Sequence, residues 1–185
     1  MSWDGFVKHV VGLDKPAADY PAPVEADTQG RAITDPAMMI PVSSSEADNT
    51  RTLRLIGYWC APGEEHWPDP ALFVDHEADA VVQRRVSDYL RGGTWFVATA
   101  GHSLCRLCGT RNGSTELTDG RYFVWPEGLA HYIDAHGVRL PDEITELMDQ
   151  PPAPVDVEAF ERDVLETEEI LIDTAWWRSV RGSQS

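Results

Sequence analysis

The sequence has few cysteines and no long apolar run. Three of its 185 residues are cysteine, too few for the disulfide framework of a small secreted domain. No stretch approaches the roughly 18 consecutive apolar residues of a membrane-spanning helix. The first residues include Asp4, Lys8 and His9 and lack the apolar core of a secretory signal. We therefore expect a cytoplasmic protein that does not enter the membrane.

The short motifs of common catalytic sites are also missing. There is no glycine-rich phosphate loop, no nucleophile elbow and no His-Glu-X-X-His helix. Residues able to exchange protons are nevertheless present, and an enzyme would draw on them: Glu64, Glu65, His66, Asp75, His76, Arg106, Asp119 and Glu127. Because His66 and His76 fall in predicted loops without a partner at a diagnostic spacing, the sequence favours a non-catalytic protein over an enzyme.

Basic residues are scarce. Lysine and arginine total 15 against 31 aspartates and glutamates, and the net charge is −16. Residues 84–121 carry six arginines and three acids, whereas residues 142–173 carry twelve acids and one arginine. Such a chain is repelled by phosphate backbones, which argues against nucleic-acid binding. The acidic segment is either a solvated surface that aids solubility or a docking site for a basic protein partner.

Composition divides the chain into three parts. Residues 1–50 contain five prolines and predict an irregular lead-in, with a short helix at 1–12. Residues 51–149 are the predicted folded domain, and residues 150–185 an acidic helix followed by a tail with Trp176 and Trp177. That tryptophan pair is either an interface anchor or a plug on the protein's own core. The other candidate core tryptophans are Trp59, Trp67, Trp95 and Trp125.

Hydrophobic spacing and turn residues predict a small α+β fold. Strands are expected at 52–60 and 94–100, and a hairpin at 114–118 and 121–125 around the turn Asp119-Gly120. Helices are expected at 77–91, from Pro126 to His136 with Gly137 as a left-handed cap, after Pro141, and at 157–169. In the first of these helices the apolar stripe is Val82, Val86, Tyr89 and Leu90.

The most informative pattern is a pair of cysteines followed by a pair of histidines. Cys105 and Cys108 have the spacing of a knuckle that aims two sulfurs at one point, and Gly109 suits the positive φ of such a turn. His131 and His136 lie on the predicted helix with four residues between them, within the range found in zinc fingers. The four residues predict one closed, structural Zn²⁺ site.

Two features of this predicted site need the structure. Positions five apart lie about 140° apart on an ideal helix, so the last turn is expected to loosen for both rings to converge. His102 or Cys60 is an alternative to His136 as fourth ligand.

The 22 residues between Cys108 and His131 are accounted for by the predicted hairpin. Knuckle, hairpin and ligand-bearing helix follow one another in the order of a treble-clef zinc module.

The segment from Gly57 to Pro141 resembles a group of uncharacterised actinobacterial proteins. The resemblance rests on Gly57-Tyr58-Trp59, the Trp-Pro-Asp-Pro turn at 67–70, Cys-Arg-Leu-Cys-Gly at 105–109, Asn-Gly-Ser at 112–114, Glu-Leu-Thr-Asp-Gly at 116–120, Trp-Pro-Glu-Gly-Leu-Ala-His-Tyr at 125–132 and His-Gly-Val-Arg-Leu-Pro at 136–141. It covers somewhat under half of the chain and implies a shared module without an assigned activity.

Together these patterns favour a non-catalytic, zinc-stabilised interaction or regulatory protein that binds a protein partner of basic character. One alternative is a metal-dependent enzyme with an open zinc site formed by Cys105, Cys108 and His131. Zinc deaminases need a glutamate two residues after the histidine, and Ile133 occupies that position. The other alternative is a nucleic-acid-binding zinc module, but the predicted helix from Pro126 to His136 carries no lysine or arginine.

Overall fold

A computed structural model describes residues 50–98 and 102–180, which form a mixed α+β structure. Their five strands are β1 Arg51–Leu55, β2 Thr94–Ala98, β3 Thr115–Thr118, β4 Phe123–Pro126 and β5 Ile170–Asp173. Their helices are α1 Ala80–Arg91, α2 Leu129–His136, α3 Asp142–Thr145, α4 Val157–Leu165 and α5 Ala175–Ser179, with a 3-10 helix at Pro70–Phe73. The predicted α+β class is confirmed; the helix predicted at 1–12 lies outside the described residues.

The strands form a single mixed sheet in the order β2-β3-β4-β1-β5. β2, β3 and β4 are antiparallel neighbours, whereas β1 runs parallel to both β4 and β5. In the β1–β5 pairing Arg51 lies beside Ile170 and Leu53 beside Ile172. β5, the last strand in the described residues, is therefore an edge strand of the sheet and lies beside β1, the first.

Helix α4 is shorter than the helix predicted at 157–169, and strand β5 follows it. Helix α4 ends at Leu165, and Glu168 turns the chain at a positive φ of 54°. The apolar run that follows pairs with β1. β1 itself is shorter than the predicted strand, because it ends at Leu55. The Ile56 amide still donates to the Val124 carbonyl of β4 at 3.0 Å, and Ile56 and Trp59 continue into the core.

Helix α1 begins three residues later than predicted. The Asp79 side chain accepts hydrogen bonds from the amides of Val81 and Val82, which fixes the helix start. Val86 and Leu90 of the predicted stripe are buried, but Val82 is exposed. The helix stops at Gly92 as predicted, and a Cβ on the next residue, Gly93, would lie 2.4 Å from the Trp125 ring.

The predicted hairpin of β3 and β4 is present, with a longer turn than the tight one expected. One carboxylate oxygen of Asp119 accepts the backbone amides of Arg121, Tyr122 and Phe123 at 2.8–2.9 Å. The other oxygen accepts a 2.6 Å hydrogen bond from the Tyr89 hydroxyl. Asp119 therefore organises the turn and ties it to α1.

Pro126 ends β4 instead of opening the next helix, which corrects a second boundary. It pairs with Glu116, and the following amide of Glu127 donates to the Thr115 carbonyl at 2.9 Å. Proline fits this last ladder position because the neighbouring amide supplies the hydrogen bond that it cannot donate. α2 then begins at Leu129.

The core is rich in tryptophan. Trp59 packs on Phe73 and Trp177 with ring centroids 5.2 Å apart in each pair. Trp177 is fully buried and donates a 2.6 Å hydrogen bond from Nε1 to the Tyr58 carbonyl, so it is a plug on the protein's own core. Trp67 and Trp125 are buried as predicted.

Trp95 was wrongly assigned to the core. Its side chain is 63% exposed. It lies on β2, whose one strand neighbour in the described part of the chain is β3, so the strand is at the sheet edge. Among the helices of residues 50–98 and 102–180, none combines the length and apolar character needed to cross a membrane.

Candidate metal centre

The two cysteines lie on a tight knuckle, as their spacing predicts. The Gly109 amide donates to the Cys105 carbonyl at 2.8 Å, and the Cys105 amide donates to the Thr110 carbonyl at 2.9 Å. Gly109 has a φ of +72°, the left-handed conformation that glycine adopts without a Cβ penalty. An antiparallel bridge between Leu104 and Arg111 closes the base of the knuckle.

The two histidines lie on α2, which ends at His136 with Gly137 in the predicted left-handed cap conformation. The expected loosening of the last turn is confined to the cap, where the Gly137 amide also bonds to the Tyr132 carbonyl five residues back. The Gly137 amide still donates to the Ile133 carbonyl at 3.1 Å, the spacing of an α-helix. The rings converge instead through their far atoms, because both histidines direct Nε2 towards the knuckle.

The structure brings Cys105, Cys108, His131 and His136 into one group, with their ligand atoms within 4.8 Å of one another. Cys105 Sγ is 3.3 Å from His136 Nε2, and Cys108 Sγ is 3.3 Å from His131 Nε2. A tetrahedral site with ordinary zinc bond lengths separates sulfur from nitrogen by about 3.5 Å. The group therefore has the donor atoms and the spacing to hold a metal ion.

The alternative fourth ligands lie outside this group. His102 is exposed, and Cys60 is half-buried with its amide bonded to the Pro68 carbonyl at 3.0 Å. Neither belongs to the cluster of potential ligands found in the described residues. The helix therefore supplies both nitrogens and the knuckle both sulfurs.

Three residues that are not potential ligands hold the knuckle and the segment after it against α2 and the residues that precede it. The Tyr132 hydroxyl accepts the Arg106 amide at 2.7 Å. Glu127 Oε2 accepts the Ser114 amide at 3.1 Å and the Thr115 hydroxyl at 3.0 Å. Sequence reasoning missed both roles, because tyrosine and glutamate at these positions have no spacing that marks them as partners of a knuckle.

The third contact depends on a glycine, Gly128, which has no side chain. A Cβ at Gly128 would lie 2.2 Å from the backbone oxygen of Asn112. Asn112 comes shortly after the knuckle and is buried. Its backbone packs directly against the backbone of Gly128, which leaves no space for a Cβ there. The loop Asn112-Gly113-Ser114 and the start of α2 are thus fitted to one another.

The electrostatics favour the metal-binding form of one cysteine. Cys108 is exposed, and the pKa of its thiol is lowered to about 5, chiefly by hydrogen bonds with the hydroxyl and the backbone amide of Thr110 and then by the hydrogen bond with His131. The thiolate is the form that binds metals. The Thr110 oxygen lies 3.3 Å from Cys108 Sγ.

Six of the eight acid–base residues expected of an enzyme are engaged in separate contacts. Glu64 pairs with Arg106 at 3.6 Å, and Asp75 with Arg139 at 3.4 Å. The carboxylates of Asp119 and Glu127 accept the structural hydrogen bonds described above. His66 packs against Trp67 with ring centroids 4.8 Å apart. These contacts are with different parts of the fold.

A buried carboxyl that the sequence did not mark lies on β3. Glu116 is 5% exposed; one oxygen accepts a 2.7 Å hydrogen bond from the Tyr58 hydroxyl, and the other has no partner among the described residues. Burial raises the pKa of Glu116 to about 8. At neutral pH this side chain is therefore mainly an uncharged acid.

Comparison with known proteins adds no relative. No protein-family model, curated protein or solved structure matches the chain. The resemblance of residues 57–141 to the actinobacterial group stays a prediction, and the function has to be argued from the geometry of the site.

Proposed function

We propose that this chain is a non-catalytic interaction protein whose fold is stabilised by one zinc ion. The supporting observation is the group of Cys105, Cys108, His131 and His136, whose ligand atoms lie within 4.8 Å of one another. Four protein ligands complete the tetrahedral coordination that zinc prefers and leave no position for a water or a substrate. A metal bound in this way stabilises the fold and takes no part in a reaction.

Zinc fits this donor set better than other common cations. Two thiolates and two imidazoles are soft or borderline ligands, which suit Zn²⁺ and disfavour Mg²⁺ and Ca²⁺. The lowered pKa of Cys108 supplies one thiolate at neutral pH before any metal binds. Zinc is also not redox-active, and in structural sites it is almost always tetrahedral.

The finer architecture that we propose is a treble-clef-like zinc module. Its supports are the knuckle at residues 105–108, the hairpin of β3 and β4, and helix α2 with both histidines, which follow one another in the chain. The ion would join the knuckle to the helix directly. The contact from Tyr132 already joins the same two parts, and Glu127 joins the segments that follow the knuckle and precede the helix.

The proposed partner is a basic protein, because the charge of the chain is strongly negative and unevenly distributed. Residues 142–173 carry twelve acids and one arginine. Complementary charge accelerates and selects such encounters. In addition, α2 carries no lysine or arginine with which to contact phosphates, so a nucleic-acid partner lacks support.

Metal analysis of the full-length chain tests the zinc site. Elemental analysis should find about one zinc per wild-type chain and none after Cys105→Ser/Cys108→Ser. The double variant should also unfold at a lower temperature. Cys60→Ser is the matched control, because Cys60 lies outside the ligand group and its loss should leave the zinc content unchanged.

X-ray absorption at the zinc edge tests whether the site is closed. We expect two sulfurs at about 2.3 Å and two nitrogens at about 2.0–2.1 Å, unchanged by added small molecules. Metal-free wild-type protein would refute the zinc proposal. An oxygen ligand that exchanges with solvent would instead refute the closed site and support the enzyme alternative.

A further inference from the structure

A surface hollow lies on the acidic side of the fold, apart from the metal centre. It has a volume of about 300 Å³ and opens between the start of β1, the β3–β4 turn, the segment before α4 and α4 itself. Val155, Ala159 and Phe160 contribute apolar surface. Arg51 contributes a cation, and Asp156 and Asp163 contribute carboxyl groups. Apolar walls with a few polar groups are typical of a site that binds a small group.

The hollow is held in shape by contacts that side chains make with the backbone and with one another. The Arg51 guanidinium donates to the Gly120 carbonyl at 3.1 Å, and the Val155 amide donates to the Thr94 hydroxyl at 3.1 Å. A Cβ at Gly120 would lie 2.7 Å from a methyl group of Val155, so only glycine allows the turn to approach this closely. The Phe160 ring packs on Phe96 with centroids 5.0 Å apart. Both walls are therefore present before anything binds.

The charges around the hollow are unbalanced. Its lining holds three aspartates and one arginine, and Arg162 next to the lining pairs with Asp163, which leaves an excess of one negative charge. The Asp119 carboxylate is already occupied by three backbone amides and the Tyr89 hydroxyl. One oxygen of Asp163 accepts a 3.0 Å hydrogen bond from Arg162, and its side chain is only 19% exposed. The Asp163 carboxylate thus lies beside an apolar wall, with its charge shared between Arg162 and the hollow.

We propose that this hollow receives the side chain of a lysine or arginine from the protein partner. The inference rests on the proposed function, since it specifies where the basic partner binds. The aliphatic stem of the side chain packs against Val155, Ala159 and Phe160, and its cation lies beside Asp163. Long basic side chains combine these two properties, which a metal ion or a simple apolar group does not.

Capped tripeptides test the hollow on the zinc-loaded, full-length protein. The probes are Gly-Lys-Gly and Gly-Arg-Gly, with the norleucine and glutamate peptides as comparators that lack the charge or reverse it. Two-dimensional NMR at low salt should show shifts centred on the amides of Gly120, Val155 and Ala159 with the basic peptides alone. Shifts spread evenly over the acidic surface would overturn the proposal.

Two variants separate the hollow from general attraction. Asp163→Asn should weaken binding roughly threefold, as expected for loss of one solvent-accessible ion pair. Glu158→Gln removes the same charge from an exposed position of α4 and should have a smaller effect. Ala159→Leu fills the hollow and should abolish the centred shifts. Equal losses in Asp163→Asn and Glu158→Gln, or retained shifts in Ala159→Leu, would overturn the inference.

The same samples distinguish failure of the hollow from failure of the proposed function. Basic peptides that bind elsewhere on the acidic surface would overturn the hollow and leave the basic partner in place. No binding of any basic peptide at low salt would overturn both the hollow and the basic partner. The zinc content measured on those samples judges the metal site separately.

Discussion

The backbone amide of Arg106 donates a 2.7 Å hydrogen bond to the hydroxyl oxygen of Tyr132. Arg106 lies between the two cysteines of the knuckle, and Tyr132 follows the first histidine of α2. The bond therefore joins the two halves of the metal centre through groups that are not ligands. Contacts of this kind orient ligands, and their loss typically weakens metal binding about 10- to 100-fold.

Tyr132→Phe should lower zinc affinity while the fold is retained. The substitution removes the acceptor of the Arg106 amide but keeps the ring, which packs on Trp59 with centroids 5.5 Å apart. We expect about a tenfold weaker zinc affinity, measured by competition with a chelating dye. Tyr122→Phe, in the β3–β4 turn, is the control. Equal affinity in the two variants would show that the bond does not position the knuckle.

Gly109→Ala tests the backbone strain of the knuckle. Gly109 has a φ of +72°, and no atom lies within 4 Å of an added Cβ, so the cost comes from conformation alone. We expect a loss of about 1 kcal/mol in unfolding free energy together with weaker zinc binding. Calorimetry and dye competition measure the two effects.

Gly63→Ala is the matched control for that substitution. Gly63 has a φ of +86° and an equally open environment, but it lies outside the knuckle. It should lose similar stability and bind zinc as tightly as the wild type. If Gly63→Ala weakened zinc binding as much as Gly109→Ala, the effect on affinity would be a general consequence of lower stability.

The grouping of the four candidate ligands could be predicted because it depends on local geometry. The spacing of Cys105 and Cys108 sets the knuckle, and the glycine after each pair of candidate ligands adopts a positive φ. The angle between positions on a helix does not predict how the rings converge, because the length of the imidazole side chain also sets where Nε2 lies. His131 and His136 bring Nε2 to the sulfurs from an unbroken α-helix.

Pairings between distant parts of the chain could not be predicted from sequence. β5 forms because Ile170 and Ile172 pair with β1, whereas the acidic residues before them have the spacing of a helix. Trp95 has the composition of a core residue, and only the strand order places it at an edge. Glu116 is buried through its bond with Tyr58, a contact that no local pattern indicates.

Replacement by alanine should destabilise the protein far more at Trp177 than at Trp95. Trp177 is fully buried and donates to the Tyr58 carbonyl, so Trp177→Ala should cost about 3–5 kcal/mol in unfolding free energy. Trp95 is 63% exposed, and Trp95→Ala should change stability by less than about 1 kcal/mol. Urea unfolding measures both. A large loss in Trp95→Ala would mean that another part of the chain covers this side chain.

The burial of Glu116 makes stability depend on pH. The carboxyl has a pKa of about 8 in the fold, because burial penalises its charged form, against an ordinary value of 4.5. Between these values the folded state binds more protons than the unfolded state, so this group's contribution to stability falls as pH rises. Below 4.5 the acid is protonated in both states and the penalty vanishes.

Glu116→Gln should remove this pH dependence, because glutamine keeps the shape of the uncharged acid and cannot ionise. The variant's unfolding free energy relative to wild type should rise by about 1.4 kcal/mol per pH unit within the window and level off above it. Urea unfolding of both zinc-saturated proteins from about pH 6 to about pH 9 measures this difference. The titration of the histidine ligands cancels because it is common to the two proteins. Glu158→Gln, at an exposed site, should give a flat difference. A flat difference for Glu116→Gln as well would mean that Glu116 ionises in the folded state as readily as in water.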